Sequence, residues 1–290
     1  MALVKIAADT EGLISMKFED GGKRQHAGYT WYRGEHCNYN PPLVNLENWQ
    51  GYRDYFLTGF VPNEPMIGPE TQITAFGSCF ARNISAWLAK SKYAVLNKQA
   101  EYSKSYIVRM GEGLVTSHSI LQQMEWAFLN KQPEVELWHG YDASTFGYDP
   151  AVREETLRIF SQTDLFVLTF GLSEVWYDKI TNEVFWRAVP KDKFDPARHG
   201  FRVVGPEENQ RNISRIVDLI RQFRPNAKIV VTLSPIPLVA TFRPIACTSA
   251  NWVSKASLRI ALDRVVSEER HRGTLFYWPS YEIVMDGFQH

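Results

Sequence analysis

Short runs of apolar residues alternate with segments of helical periodicity along most of this chain. The apolar runs fall at residues 73–76, 93–96, 164–170, 228–233 and 275–278. Between them, apolar positions recur every three or four residues, which is the period of an amphipathic helix. This alternation is typical of βαβ units. We therefore expect an α/β fold with a parallel sheet that helices cover on both faces.

Residues 1–72 lack this alternation. They are rich in aromatic side chains, and three prolines interrupt residues 61–69. Their apolar positions follow neither a helical nor a strand period over any length. We therefore expect the main domain at residues 73–290, with residues 1–72 forming an aromatic-rich extension that packs against it.

Local patterns within the main domain predict finer features. Residues 178–182 are typical of a hairpin turn between two short strands. Ser254 precedes a helical apolar pattern and is expected to cap that helix. The helix after the first run is predicted to bury one face made of Phe80, Ile84, Trp87 and Leu88.

Composition narrows the functional classes. Hydrophobic residues make up 44% of the 290 residues and charged residues 22%, which is ordinary for a globular protein. Lys and Arg together equal Asp and Glu in number, so the formal net charge is zero. A neutral chain does not have the basic surface of a nucleic-acid-binding protein. We therefore expect a small-molecule or glycan ligand rather than a nucleic acid.

The three cysteines, Cys37, Cys79 and Cys247, are widely spaced and form neither a zinc nor a disulfide pattern. The first residues lack the apolar core of a signal peptide. No apolar run approaches the ~20 residues that a membrane span requires. We therefore expect a cytoplasmic protein with no membrane span and no metal. The sequence does not indicate the oligomeric state.

The segment Gly77-Ser78-Cys79 carries the most suggestive chemistry, because it follows the first apolar run and precedes a helix. Ligands of open α/β sheets bind at the carboxyl ends of the strands. The polar turns at residues 171–174 and 234–237 follow later runs, so they should lie at the same edge. Ser78 is thus a candidate nucleophile, and a helix N-cap is its alternative role.

Five segments together resemble the GSCFA family. The signature Gly77-Ser78-Cys79-Phe80-Ala81 stands in a strand–turn–helix setting, and the other segments follow in the family's order. They are Gly171-x-x-Glu174-Val175-Trp176, Ser234-Pro235-x-Pro237, Asn251-x-x-Ser254-Lys255-x-x-Leu258-Arg259 and Pro279-Ser280-Tyr281-Glu282. The family is similar to the SGNH (GDSL-like) hydrolases. The resemblance implies a flavodoxin-like three-layer α/β/α sandwich and a serine esterase or O-acyltransferase, with an acyl ester of a glycan or polysaccharide as substrate.

The resemblance also implies roles for individual residues. Ser78 corresponds to the nucleophile, and its own N–H would bind the oxyanion. Gly111 or Gly113 would supply a second N–H, since a glycine after the second strand has this role in such enzymes. Ser173 stands where an Asn donor is usual. Glu174 is either a buried structural carboxylate or an acid/base group. No cofactor is implied.

The base for Ser78 should be a histidine that a carboxylate orients. SGNH enzymes supply both from one Asp-x-x-His block, whereas this chain has Asp286 and His290, one residue further apart. Two alternatives are open: this pair is a modified block, or the block lies beyond residue 290. His118 is a weaker candidate, since it lies near a helix start after Gly113.

Other residues leave rival interpretations open. Cys79 could be a reactive thiol at a helix N-terminus or a small packing residue. Lys255 and Arg259 could bind an anionic group, and a solvated helix face is the simpler explanation. Tryptophans such as Trp176 could stack on sugars or fill the core. The alternative function is a non-catalytic glycan-binding or scaffold protein on the same fold.

Overall fold

The computed structural model of the protein describes residues 5–8, 14–20, 23–29, 38, 40–41, 43–132, 134–139 and 144–288. The chain divides into two compact units. The smaller unit consists of Met1–Val61 together with Glu282–His290, and the larger unit is Pro62–Tyr281.

The described part of the smaller unit contains three antiparallel strands, β1 (Lys5–Ala8), β2 (Ile14–Asp20) and β3 (Lys23–Tyr29). They pair in the order β1-β2-β3. Helix α1 (Trp49–Phe56) follows, and the Asn48 side chain caps it by accepting a hydrogen bond from Gly51 N. The lack of a strand period over residues 1–72 therefore did not exclude strands there, because strand pairing also depends on contacts that a local period does not record.

The larger unit contains the remaining strands and most of the helices. Its strands are β4 (Ile73–Phe76), β5 (Leu137–His139), β6 (Ser144–Phe146), β7 (Leu165–Phe170), β8 (Glu174–Asp178), β9 (His199–Val203), β10 (Lys228–Leu233) and β11 (Leu275–Trp278). Its helices are α2 (Cys79–Lys90), α3 (Tyr106–Arg109), α4 (Ser117–Leu129), α5 (Pro150–Gln162), α6 (Pro206–Phe223) and α7 (Cys247–Val266). A short helix, α8 (Ser280–Glu282), follows, and the π-helical turn Ile283–Gly287 after it belongs to the smaller unit.

A parallel sheet with the order β11-β10-β7-β4 lies at the centre of the larger unit. Every residue of β4 and β7 is buried, as expected of strands that are covered on both faces. Helix α2 packs against β4 and β7, and α7 packs against β10 and β11. The predicted α/β fold with a helix-covered parallel sheet is therefore confirmed.

The run at residues 93–96 contributes less than a strand. Val95 forms a single parallel bridge with Ile73, and a 3-10 turn begins at Leu96. Counting Val95, the strands lie in the flavodoxin-like order 2-1-3-4-5. In such a sheet the strand order reverses beside the first strand, and ligands bind at that point. The turn after β4 occupies this position.

Three finer predictions need correction. Trp87 is 64% exposed, and the buried face of α2 consists of Ala81, Ser85 and Leu88. The predicted hairpin turn at residues 178–182 is present, because Tyr177 bridges antiparallel to Val184 and Phe185 N donates to Trp176 O at 2.9 Å. Its second arm is not a full strand, since the strand partner of β8 is β9. Ser254 lies inside α7, which begins at Cys247, and its hydroxyl oxygen accepts a hydrogen bond from Ser173 N instead of capping the helix.

The helices predicted from apolar periodicity are otherwise present. Thr116 caps α4 through a reciprocal pair of hydrogen bonds with Ser119. The buried side of α6 includes Ile213, Ile216 and Ile220. Within the described ranges, no helix combines the length and the apolar character that crossing a membrane requires.

Candidate functional site

Gly77 makes the tight turn between β4 and α2. Its φ of +128° lies in a region that other residues rarely adopt. A Cβ on Gly77 would lie 2.1 Å from Thr169 O in the neighbouring strand β7. Its N–H donates to Gly111 O at 3.0 Å. The turn is therefore pressed against β7 and tied to the segment that contains Gly111.

Ser78 is the N-cap of α2. Its Oγ accepts hydrogen bonds from Phe80 N at 3.2 Å and Ala81 N at 3.4 Å. The residue is only 3% exposed. No described residue accepts a hydrogen bond from this hydroxyl, so its proton remains available. Ser78 therefore caps α2, and this role leaves its hydroxyl proton free to be donated to another group.

A cleft of about 160 Å³ opens beside Ser78. Gly111 lines this cleft, and Gly113 does not. The N–H of Gly113 already donates to Met110 O at 2.8 Å. The cleft is lined by Ala75, Phe76, Ser78, Arg82, Asn97, Lys98, Ile107, Val108, Arg109, Gly111 and Glu112.

Asn97 forms part of the floor of this cleft and ties it to the sheet. Its amide Nδ2 donates to Ala75 O at 2.8 Å, and its Oδ1 accepts from Ala75 N at 3.3 Å. The residue is buried. Both polar atoms of Asn97 are therefore occupied by the backbone of β4, so this residue holds the wall of the cleft in place.

The predicted acid–base pair, Asp286 and His290, belongs to the smaller unit, whereas Ser78 belongs to the larger unit. Asp286 lies in the π-helical turn Ile283–Gly287 of the smaller unit, where its side chain is exposed. His290 lies outside the described residues. The assignment of Asp286 and His290 as the base therefore stays a prediction.

Ser173 follows β7, and its polar atoms are all engaged. Its N–H donates to Ser254 Oγ at 2.8 Å, and its hydroxyl donates to Ser254 O at 2.9 Å. The same oxygen accepts from Asn209 Nδ2 at 3.2 Å. The side chain is fully buried. To serve as an oxyanion donor, Ser173 would have to break its bond to α7.

Glu174, the first residue of β8, lies at a different cavity. Both of its carboxylate oxygens lie 2.9 Å from Thr241 Oγ1, the single hydroxyl that donates to them. This cavity, of about 160 Å³, has aromatic walls that include Trp176, Trp186 and Phe242. Glu174 does not line the cleft beside Ser78.

Lys255 is a residue whose environment the sequence analysis missed. It is 1% exposed, and its Nζ donates to Gly171 O at 2.8 Å and to Ser234 O and Ile236 O at 2.7 Å each. The ammonium therefore joins the segments that follow β7 and β10. The prediction that Lys255 lies on a solvated helix face is therefore wrong. Its spacing of three and seven residues from Leu258 and Leu262, on the apolar stripe of α7, was the available signal.

Burial lowers the pKa of Lys255 to about 8. The Cys79 thiol at the first position of α2 acts on this pKa in the opposite direction, because a negative charge there would favour the ammonium. Cys79 is half-buried and free. Arg259, one turn further along α7, lies over the Tyr277 ring at 4.5 Å and pairs with Asp263.

His118 is bound to a carboxylate away from the cleft. Its Nε2 lies 2.7 Å from Glu208 Oε1, and Arg202 donates two hydrogen bonds to the same carboxylate. His118 and Arg202 hold the pKa of Glu208 at about 2. Among the described residues, no three His, Cys, Asp or Glu side chains are grouped as metal ligands would be.

Comparisons with known proteins place these residues in one sequence family. The model of the GSCFA family matches residues 72–290, a range that includes β4, Ser78 and every strand of the central sheet. A search of the curated proteins found no match.

Proposed function

This chain belongs to the GSCFA family, and we propose that it is a serine-dependent esterase or O-acyltransferase acting on an acyl ester of a glycan. The observation that carries the proposal is the position of Ser78. Its hydroxyl lies at the start of α2, at the carboxyl end of β4, and lines a cleft. That is the point of the sheet where ligands of this strand order bind.

In the proposed reaction Ser78 Oγ attacks the acyl carbon, and the alcohol leaves after a tetrahedral intermediate. The N–H groups of Ser78 and Gly111 and the positive end of α2 stabilise the oxyanion. Each such donor lowers the barrier by about 3–4 kcal/mol in known enzymes. Gly111 is preferred over Gly113, whose N–H is bonded to Met110 O.

The proton of Ser78 passes to a histidine, which returns it to the leaving alcohol. We propose His290 for this role and Asp286 as the carboxylate that orients it, following the likeness to SGNH hydrolases. Water then releases the acyl group in an esterase, and a second hydroxyl accepts it in an acyltransferase. This chemistry requires no metal or organic cofactor.

A second candidate is a glycan-binding protein without catalysis. The aromatic-walled cavity that contains Trp176 and Glu174 favours it, because aromatic faces and carboxylates are suited to sugar rings. In that case Ser78 would only cap α2. The two candidates differ in whether Ser78 reacts with an electrophile.

The test uses a fluorophosphonate probe and the hydrolysis of 4-nitrophenyl acetate. Ser78→Asn keeps a good N-cap and removes the nucleophile, so it separates capping from chemistry. We expect labelling and hydrolysis to fall by at least about 100-fold, with little change in the free energy of unfolding. Ser91→Ala, at the exposed C-cap of α2, is the control and should behave as the wild type. Equal labelling of wild type and Ser78→Asn would rule out the proposed nucleophile.

A further inference from the structure

The charged side chains that line the cleft beside Ser78 are mostly basic. Arg82, Lys98 and Arg109 line it, and Glu112 is the acidic residue among the described lining residues. The whole chain has a formal net charge of zero. The excess of positive charge is therefore local to this cleft, where it can raise the concentration of an anionic ligand.

Glu112 does not cancel this excess. Its carboxylate pairs with Arg82 at 2.6 Å, which leaves Lys98 and Arg109 as the remaining charges of the lining. The Arg109 guanidinium lies 5.5 Å from the centre of the Phe146 ring, so an aromatic face supports it beside the cleft. Lys98 follows Asn97, whose amide is fixed to β4. Both cations are thus carried by anchored segments.

We propose that the cleft selects esters that bear a carboxylate, and that Lys98 and Arg109 bind this group. The inference rests on the proposed function for its reaction and adds the substrate class. The carboxylate could belong to the alcohol part, as in an acidic sugar, or to the acyl part, as in the half ester of a dicarboxylic acid. Both sources present the same charge to the two side chains.

The expected change in KM is modest because the two cationic side chains are exposed. Lys98 and Arg109 are both exposed, so water and salt screen their attraction for an anion. Two such charges lower the KM of an anionic ester by about five- to tenfold at low ionic strength. The preference should fall to about twofold at an ionic strength near 0.5 M, where the screening length is short.

The experiment compares three esters that release a nitrophenol. 4-Nitrophenyl acetate is neutral, 5-acetoxy-2-nitrobenzoate carries the carboxylate on the alcohol part, and mono-4-nitrophenyl glutarate carries it on the acyl part. We expect a lower KM for at least one anionic ester in the wild type, and the ester that benefits identifies the source. In Lys98→Gln/Arg109→Gln the KM advantage should disappear. Lys90→Gln removes an exposed lysine outside the cleft and should retain it.

Binding to Ser78→Asn separates this inference from the proposed function. We expect this variant to bind 5-acetoxy-2-nitrobenzoate or mono-4-nitrophenyl glutarate more tightly than 4-nitrophenyl acetate in calorimetry, without turnover. If the wild type binds an anionic ester preferentially but does not hydrolyse it, the function fails and the charge preference stands. Equal binding of all three esters, or a preference that persists in Lys98→Gln/Arg109→Gln, would overturn the inference.

Discussion

The turn after β4 and the turns after β7 and β10 look alike in sequence and differ in structure. Each is a small polar segment that follows a buried strand. After β4, the Ser78 hydroxyl keeps its proton free and lines a cleft. After β7 and β10, the polar groups already have hydrogen-bond partners within the protein. Ser173 is bonded to Ser254, and Lys255 donates to Gly171 O and Ser234 O.

One helix explains this difference. Ser254 and Lys255 are consecutive residues of α7, which covers β10 and β11 and reaches across to the segment after β7. The segment after β4 is instead linked to the segment that contains Gly111 by the hydrogen bond from Gly77 N to Gly111 O, and both Ser78 and Gly111 line the cleft. A polar group at a strand end is therefore free for chemistry only where no later element supplies its hydrogen-bond partners.

The largest expected effect comes from Gly77→Ala. The added Cβ would meet Thr169 O at 2.1 Å, and the φ of +128° disfavours any L side chain. We expect the free energy of unfolding to fall by at least about 4 kcal/mol in urea denaturation. Gly68→Ala is the control, because nothing lies within 4 Å of its Cβ. Similar stabilities for the two variants would mean that the turn at Gly77 is not in close contact with β7.

Lys255→Met tests whether the ammonium of Lys255 stabilises the segments after β7 and β10. It leaves two buried carbonyl groups, Gly171 O and Ser234 O, and the part-buried Ile236 O without their donor, so we expect a loss of about 3 kcal/mol in the free energy of unfolding. Lys90→Met, at the exposed last turn of α2, should change little. A stability equal to that of Lys90→Met would show that the ammonium does not hold these segments together.

The free energy of unfolding should also depend on pH through Glu208, which lies next to the hydrogen bonds of Ser173. This residue precedes Asn209, which donates to Ser173. Because the pKa of Glu208 is about 2 in the fold and 4.5 ordinarily, its contribution is present above the ordinary pKa. It is lost as the pH falls towards the folded value. We expect Glu208→Gln to lose about 2 kcal/mol relative to wild type near pH 6.

The measurement is the unfolding free energy of both proteins at several pH values. The difference between wild type and Glu208→Gln should shrink between about pH 5 and about pH 2. Glu207→Gln, in the neighbouring exposed pair with Arg264, should show a smaller difference throughout. A difference for Glu208→Gln that does not vary with pH would contradict the assignment.

The smallest effect is expected for Ser173→Ala. The variant removes one partner of Ser254 and one of Asn209, which should cost about 1 kcal/mol of unfolding free energy. Labelling of Ser78 by a fluorophosphonate should remain within about twofold of wild type if Ser173 is only structural. A loss of about 100-fold in ester hydrolysis, with the fold intact, would instead identify Ser173 as an oxyanion donor.

The sequence predicts the central sheet well because its strands are continuous apolar runs. Residues 165–170 and 228–233 show this pattern, and both are parallel strands. It does not predict β9, whose residues His199–Val203 mix buried and half-buried side chains and pair with a strand some 20 residues away. Strand pairing of this kind depends on tertiary contacts that a local period does not record.

For the site, the sequence locates Ser78 but not its surroundings. Gly77, Ser78 and the following helix form a local motif, so the cap and the turn can be predicted. Lys255 was expected to be exposed because lysine usually is, and only contacts with Gly171 and Ser234 show otherwise. Lys98 and Arg109 lie on segments that come together beside Ser78 only in the folded chain. Their spacing along the sequence does not predict this.

The hydrogen bond from Tyr52 Oη to Gly287 O, 2.9 Å long, joins residues 235 positions apart in the chain. Tyr52 also stacks on the Phe288 ring. The smaller unit therefore cannot be completed during synthesis until residues 282–288 have left the ribosome, whereas Pro62–Tyr281 can fold before then. If Asp286 and His290 are the acid–base pair, the larger unit supplies the nucleophile and the base is synthesised after it. Activity would then appear only once the smaller unit has been completed.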